Sequence, residues 1–388
     1  MMIPKIRPQA QALATSPSSA WAVLVASSLL SFTAAAAQSV PATSNATVTT
    51  PAIPASPATT PPVPGAPRGS GFGRGLQADS NAISPLASIR AQDVCILPDP
   101  VSKTYYMVAS GGGGVRTWTS QDLASWQGPK TVYRPATDVW GDIRTAGIWA
   151  PEMHYYKGKY YLFLTFDSRT PLGPEQWHDW RPRVFRGSQI LWGDSPDGPF
   201  HTFANHATTP TNMMTLDGTF WVEDGVPYMV FCNEWVQVSD GTVEFMPLKD
   251  DLSEAAGPPK RMFRGSSAKW SELIEEGGHV TDGPYVWRGK TGKLYVIWSS
   301  RAHDQRYELG VAISDSGKLA GPWRQEDQPL FGDYGGHGMI FNTFEGKLML
   351  VLHSPDGGGT GPRRPHIFEI EDTGETLRIV KEFTGVQP

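Results

Sequence analysis

The chain has 388 residues and a mild net charge of −5, with 41 Gly, 34 Pro, 14 Trp and only two Cys. That balance excludes a nucleic-acid binder read through a basic stripe, a disulfide scaffold and a long-helix protein. It points to a turn-rich, aromatic-rich all-β fold.

Lys5 and Arg7 precede an apolar run over residues 20–32, then small residues 34–37 and Gln38. This is the pattern of a secretory signal peptide, residues 1–37, and the run is too short to span a membrane. Residues 38–79 are Pro, Ala, Thr, Ser and Gly with almost no large apolar side chain. Such a segment does not bury enough surface to offset its ordering entropy, so a disordered linker is expected. The remaining residues, 80–388, are ample for a core. A secreted or periplasmic monomer is expected, with no membrane insertion after cleavage. Cys95 and Cys232 each sit in an apolar strand, which favours two buried thiols over a bridge.

Short hairpins recur from residue 93 onward, each an apolar strand, a turn with Gly and an aromatic or β-branched strand. Gly158, Gly225 and Gly292 follow one another at 67 residues, and Gly346 comes 54 later. After most hairpins come a third strand and a closing Gly-Pro: Gly128-Pro129, Gly198-Pro199, Gly257-Pro258 and Gly321-Pro322. Five such repeats, none able to bury both faces alone, predict a five-bladed β-propeller, with the first strand of each repeat along a central channel.

Three acids open such strands: Gln92-Asp93-Val94 in blade one, Leu216-Asp217-Gly218 in blade three and Thr281-Asp282-Gly283 in blade four. Carboxylates converging on an axis are the apparatus of glycoside hydrolysis, which needs an acid to protonate the leaving oxygen and a carboxylate to activate water or attack. A third acid splits their pKa values further. Glu234, beside Trp235, is a further candidate, because an apolar neighbour raises a carboxyl pKa. Glu275 and Glu276 read as a solvated loop.

The order of these acids, together with Trp149-Ala150-Pro151-Glu152-Met153-His154-Tyr155-Tyr156-Lys157-Gly158-Lys159-Tyr160-Tyr161, resembles glycoside hydrolase family 43 from about residue 80 to the C-terminus. The resemblance implies a secreted propeller acting on plant polysaccharide side chains, such as arabinan, xylan and arabinogalactan, by an inverting three-acid mechanism. It implies Asp93 as base and Asp217 as the tuning acid. It also implies a Glu donor in blade four, where this chain has Asp282, a methylene shorter. The donor is therefore Asp282 or Glu234. His337 matches a histidine that helps hold an axial calcium ion in relatives, often through water, so a structural Ca2+ is expected in the channel and no cofactor in the chemistry. Trp149, Trp235, Arg301 and Trp140 are the expected substrate contacts. Trp177 and Trp180, in the long insert 167–186, are expected at a pocket rim, and that insert favours exo-action. The expected reaction is release of a terminal pentose, α-L-arabinofuranose or β-D-xylose. An exo-galactan hydrolase, or a propeller that only binds carbohydrate, is the alternative.

Overall fold

The computed structural model describes residues 79–173, 180–356 and 358–385. The expected signal peptide and nearly all of the expected linker lie outside them. The described residues form five antiparallel sheets arranged as a five-bladed β-propeller. Blade one comprises β1 (Ile83–Pro85), β2 (Cys95–Pro98), β3 (Tyr105–Gly111), β4 (Gly114–Ser120) and β5 (Ser125–Tyr133). Blade two comprises β6 (Thr145–Tyr156), β7 (Lys159–Pro171), β8 (Val184–Gly193) and β9 (His201–Thr202). Blade three comprises β10 (Thr215–Glu223), β11 (Val226–Asn233), β12 (Thr242–Pro247) and β13 (Lys260–Arg264), with the one-turn helix α1 (Trp235–Val238) after β11. Blade four comprises β14 (Asp282–Arg288), β15 (Leu294–Arg301), β16 (Tyr307–Ser314) and β17 (Trp323–Gln325). Blade five comprises β18 (Gly336–Asn342), β19 (Leu348–Ser354), β20 (Arg364–Asp372) and β21 (Leu377–Glu382).

In blades two to five the strands pair in chain order, so each sheet is a simple meander. Blade one differs: β1 pairs with β5 at its outer edge, Ser84 opposite Trp126. The second strands read as continuous apolar runs because both of their faces are covered. In β7, Tyr160 to Phe166 are all buried, and in β15 Leu294 to Ser300 are. The ring closes by packing rather than by a shared strand. Met339, Phe341, Met349 and Val351 of blade five join Ile96, Met107 and Val108 of blade one in a single core cluster. Both cysteines are free and buried, and no helix among the described residues is long and apolar enough to cross a membrane.

Each blade carries a local irregularity that aims the site, in its first strand in blades two to five and just before β2 in blade one. A positive φ occurs at Asp93 (50°), Ala150 (42°), Asp217 (56°), Gly283 (49°) and His337 (49°), one in each blade. In blades two to five it coincides with a register shift against the second strand. A bulge with a left-handed residue bends the strand and re-aims its side chains, and such strain in non-glycine residues concentrates at functional sites. In blade four this position belongs to Gly283, so Asp282 sits one residue before the place that Asp93 and Asp217 occupy. Counting residues between repeats made the three acids equivalent; backbone conformation separates them.

Candidate active site

A cavity of about 820 Å³ opens at the channel mouth and is lined by Asp93, Asp217, Glu234, Asp282 and His337. Trp149, Trp235 and Arg301 line it as expected. Trp140 does not. It is buried against Phe166 at 5.5 Å between ring centroids, and its Nε1–H donates to Gln189 Oε1 at 2.6 Å. Its loop turns inward to fill the gap beside blade two, so Trp140 is packing rather than a sugar contact. Trp177 lies outside the described residues. Trp180 packs edge-on against Trp235 and donates to the Val236 carbonyl, supporting the wall rather than facing the cavity. The described parts of the insert do line the cavity, through Ser168, Arg169, Pro171, Arg181, Pro182, Val184 and Arg186.

Three carboxylates converge on one ring nitrogen. His337 Nδ1 lies 3.5 Å from Asp93 Oδ1, 3.4 Å from Asp282 Oδ1 and 3.9 Å from Asp217 Oδ2. The Ser299 hydroxyl fixes the base of this histidine by accepting its backbone N–H at 2.8 Å. Burial opposes a charge on His337, but the three acids outweigh it and push its pKa well above the ordinary histidine value. The three acids thus favour the protonated, imidazolium form of His337.

The carboxylates then separate by environment. Burial opposes ionisation of Asp93, yet His337, His353 and the Gln92 amide hold its pKa well below the usual carboxylate range. Burial and the neighbouring Asp282 push Asp217 well up. Burial also opposes the charge on Asp282, but its hydrogen bond to Asp217 and the nearby imidazolium keep it ionised. The Asp217–Asp282 pair thus favours a single shared proton, with Asp217 the partner pushed up. Like charges this close do not both ionise.

Glu234 follows β11 at the N-cap of α1, buried and paired with Arg186 at 2.5 Å. Arg186 also holds Asp167 at 2.8 Å and lies 4.2 Å over the Trp149 ring. Burial raises the Glu234 pKa. Arg186 opposes the rise, while Asp167 and Asp282 add to it. Glu276, read from sequence as solvated, instead binds Arg181, whose guanidinium covers the Trp235 ring at 5.0 Å.

Asp217, Asp282 and His337 offer ligand atoms all within 4.8 Å of one another. As a direct calcium site the cluster is short of oxygens: calcium takes six to eight, and these residues offer two carboxylates and one imidazole.

Sequence reasoning missed His353, Asp356, Arg363 and Arg186. A polar residue inside the apolar run of β19 was the available signal for His353, which is 1% exposed.

The profile of glycosyl hydrolases family 43 matches residues 84–372. The chain belongs to that family. O-glycosyl hydrolysis is the family-level chemistry, and carbohydrate its substrate class. The chain is 27% identical over 236 residues to the extracellular exo-α-(1→5)-L-arabinofuranosidase of Streptomyces avermitilis, covering 56% of this chain and 46% of that one. It is 24% identical over 250 residues to the β-xylosidase of Bacillus subtilis, covering 60% and 41%. The chain thus spans somewhat less than half the length of these two curated relatives. The solved endo-arabinase of Bacteroides thetaiotaomicron superimposes with a TM-score of 0.67 at 35% identity, covering 74% of this chain and 96% of that one.

Proposed function

We propose that this family 43 chain is a secreted exo-acting glycosidase that releases terminal α-L-arabinofuranose by inversion, with Asp93 as base and Glu234 as proton donor. The observation that carries it is the split between these two buried acids in one cavity, Asp93 pushed down and Glu234 pushed up. Environments that drive two carboxyl pKa values apart assign the base and the acid.

Spacing weighs against Asp282 as donor. Asp93 Oδ1 and Asp282 Oδ1 lie 3.5 and 3.4 Å from the same His337 nitrogen, so they are at most 6.9 Å apart, the sum of the two. Inversion needs roughly 6.5–9.5 Å between base and donor so that water fits beside the sugar. These two oxygens reach the low end of that range only if the angle at the His337 nitrogen is wide, about 140° or more. Glu234 comes from just after β11 on its own partner, Arg186, and has the longer arm. In this reading Asp282 stays ionised, raises the Glu234 pKa, and is held in place by Asp217 and His337. Water on Asp93 attacks the anomeric carbon as Glu234 gives its proton to the leaving oxygen.

The arabinofuranosidase and endo-arabinase relatives support arabinose, and the insert wall across one side of the cavity supports action on a chain end. β-D-xylose is the second substrate, supported by the xylosidase relative.

The donor assignment is tested by leaving-group dependence. Glu234→Gln should lower kcat on arabinan oligosaccharides about 10²- to 10⁴-fold. A dinitrophenyl arabinofuranoside, whose leaving group needs no proton, should be hydrolysed at close to the wild-type rate. The same pattern in Asp282→Asn, and not in Glu234→Gln, would make Asp282 the donor. Oligosaccharide bound and left intact by the wild type would make the chain a binding propeller.

A further inference from the structure

Asp93 is held by a closed ring of hydrogen bonds that runs through blade five. The Asp93 backbone N–H donates to His353 Nδ1 at 3.2 Å, and the same ring nitrogen lies 3.2 Å from Asp93 Oδ1. On the other side of the imidazole, Nε2–H donates to Asp356 Oδ2 at 2.9 Å. Asp356 Oδ1 accepts from Arg363 Nη2 at 3.0 Å. Arg363 Nη1 donates to Gln92 Oε1, and Gln92 Nε2 donates to Asp93 Oδ2 at 2.9 Å. The circuit returns to the carboxylate from its second oxygen.

We propose that Gln92, His353, Asp356 and Arg363 form a positioning ring that fixes the rotation of the Asp93 carboxylate, and so aims the attacking water. This rests on the base role proposed for Asp93. Three features support it. Asp93 Oδ2 accepts from the Gln92 amide, while Oδ1 lies against His353, whose Nδ1 also holds the Asp93 backbone N–H, so the carboxylate is bounded from two sides. The His353 ring is itself immobilised, 1% exposed and stacked on Tyr307 at 5.8 Å between centroids. The ring spans the closure of the propeller: His353 ends β19, Asp356 and Arg363 flank the loop to β20, and Gln92 precedes β2. Catalytic groups need support of this kind because displacements of an ångström are costly.

Arg363 and Gln92 are the members to change, because they stand at the cavity wall and Arg363 has a side chain 41% exposed. Wild type, Asp93→Asn, Gln92→Ala, Arg363→Ala and the Gln92→Ala/Arg363→Ala double variant are compared for kcat, KM and thermal unfolding on an aryl arabinofuranoside. Each single ring variant should lose roughly 10- to 100-fold in kcat, with KM within about two-fold of wild type and unfolding unchanged. The double variant should lose no more than the worse single, since a ring is broken only once. Guanidinium in the buffer should restore part of the rate to Arg363→Ala and none to Gln92→Ala. A rise in KM alone would make Arg363 a sugar contact and overturn the proposal, as would multiplicative losses in the double variant or an unchanged kcat. If wild type releases no sugar, the functional reading fails first. Crystal structures of Arg363→Ala and Gln92→Ala then decide the ring, and an Asp93 carboxylate unmoved in both overturns it.

Discussion

Asp93→Asn should fold as the wild type does and lose about three orders of magnitude in kcat, the usual worth of a positioned general base. The amide keeps the size of the carboxylate and can still accept from Gln92, so the substitution removes basicity with little change in packing. The effect is expected in kcat rather than KM because the water is activated only as the bond breaks. Circular dichroism and thermal unfolding check the fold, and release of nitrophenol from an aryl arabinofuranoside checks the rate. A variant that retains a tenth of wild-type turnover would remove Asp93 from the mechanism, and the positioning ring with it.

Gly283→Ala should damage both stability and turnover, although this residue carries no functional group. A Cβ there would lie 2.8 Å from His337 Cγ and 2.9 Å from Nδ1, in a backbone with φ of +49°. The left-handed conformation alone costs about 1–2 kcal/mol for a residue with a Cβ. The clash is with the buried ring of a residue whose backbone N–H is held by Ser299, so it is not relieved by a flexible side chain. Either His337 moves or β14 does. If β14 moves, the Gly283 N–H leaves Asp217 Oδ2, where it now donates at 3.1 Å. If His337 moves, the three acids lose their shared cation. Differential scanning calorimetry should show a melting temperature lowered by several degrees, at roughly 2–4 °C per kcal/mol for a domain of this size. Steady-state assays should show kcat reduced about 100-fold, as misplacement of reacting groups implies. Wild-type values for both would mean that His337 does not sit against the bulge of blade four.

Much of this architecture is legible in the sequence because propeller blades are local. Turn glycines such as Gly225 and Gly292, and buried runs such as Leu294 to Ser299, are short-range signals that survive without knowledge of the neighbours. Asp93 and Asp217 were legible for the same reason, each opening a recognisable hairpin. The offset of Asp282 was not, because a bulge changes which residue faces the channel without changing the spacing along the chain. Trp140 was misplaced because position in a long loop says nothing about which way the loop turns. The ring around Asp93 joins residues 260 and more apart, and no local pattern connects Gln92 to Arg363. Glu234 was visible as an acid beside a tryptophan. Its guanidinium partner was hidden within the insert, among several arginines that sequence does not rank.

In the proposed mechanism base and donor act from opposite faces of the sugar with a water between them. The stereochemistry of the first-formed product tests it most directly. Proton NMR of an α-L-arabinofuranoside digest, recorded at high enzyme concentration before the free sugar equilibrates, should show β-arabinofuranose appearing first. Early accumulation of the α anomer would mean retention through a covalent intermediate, and would contradict the assignment of Asp93 as a base acting on water.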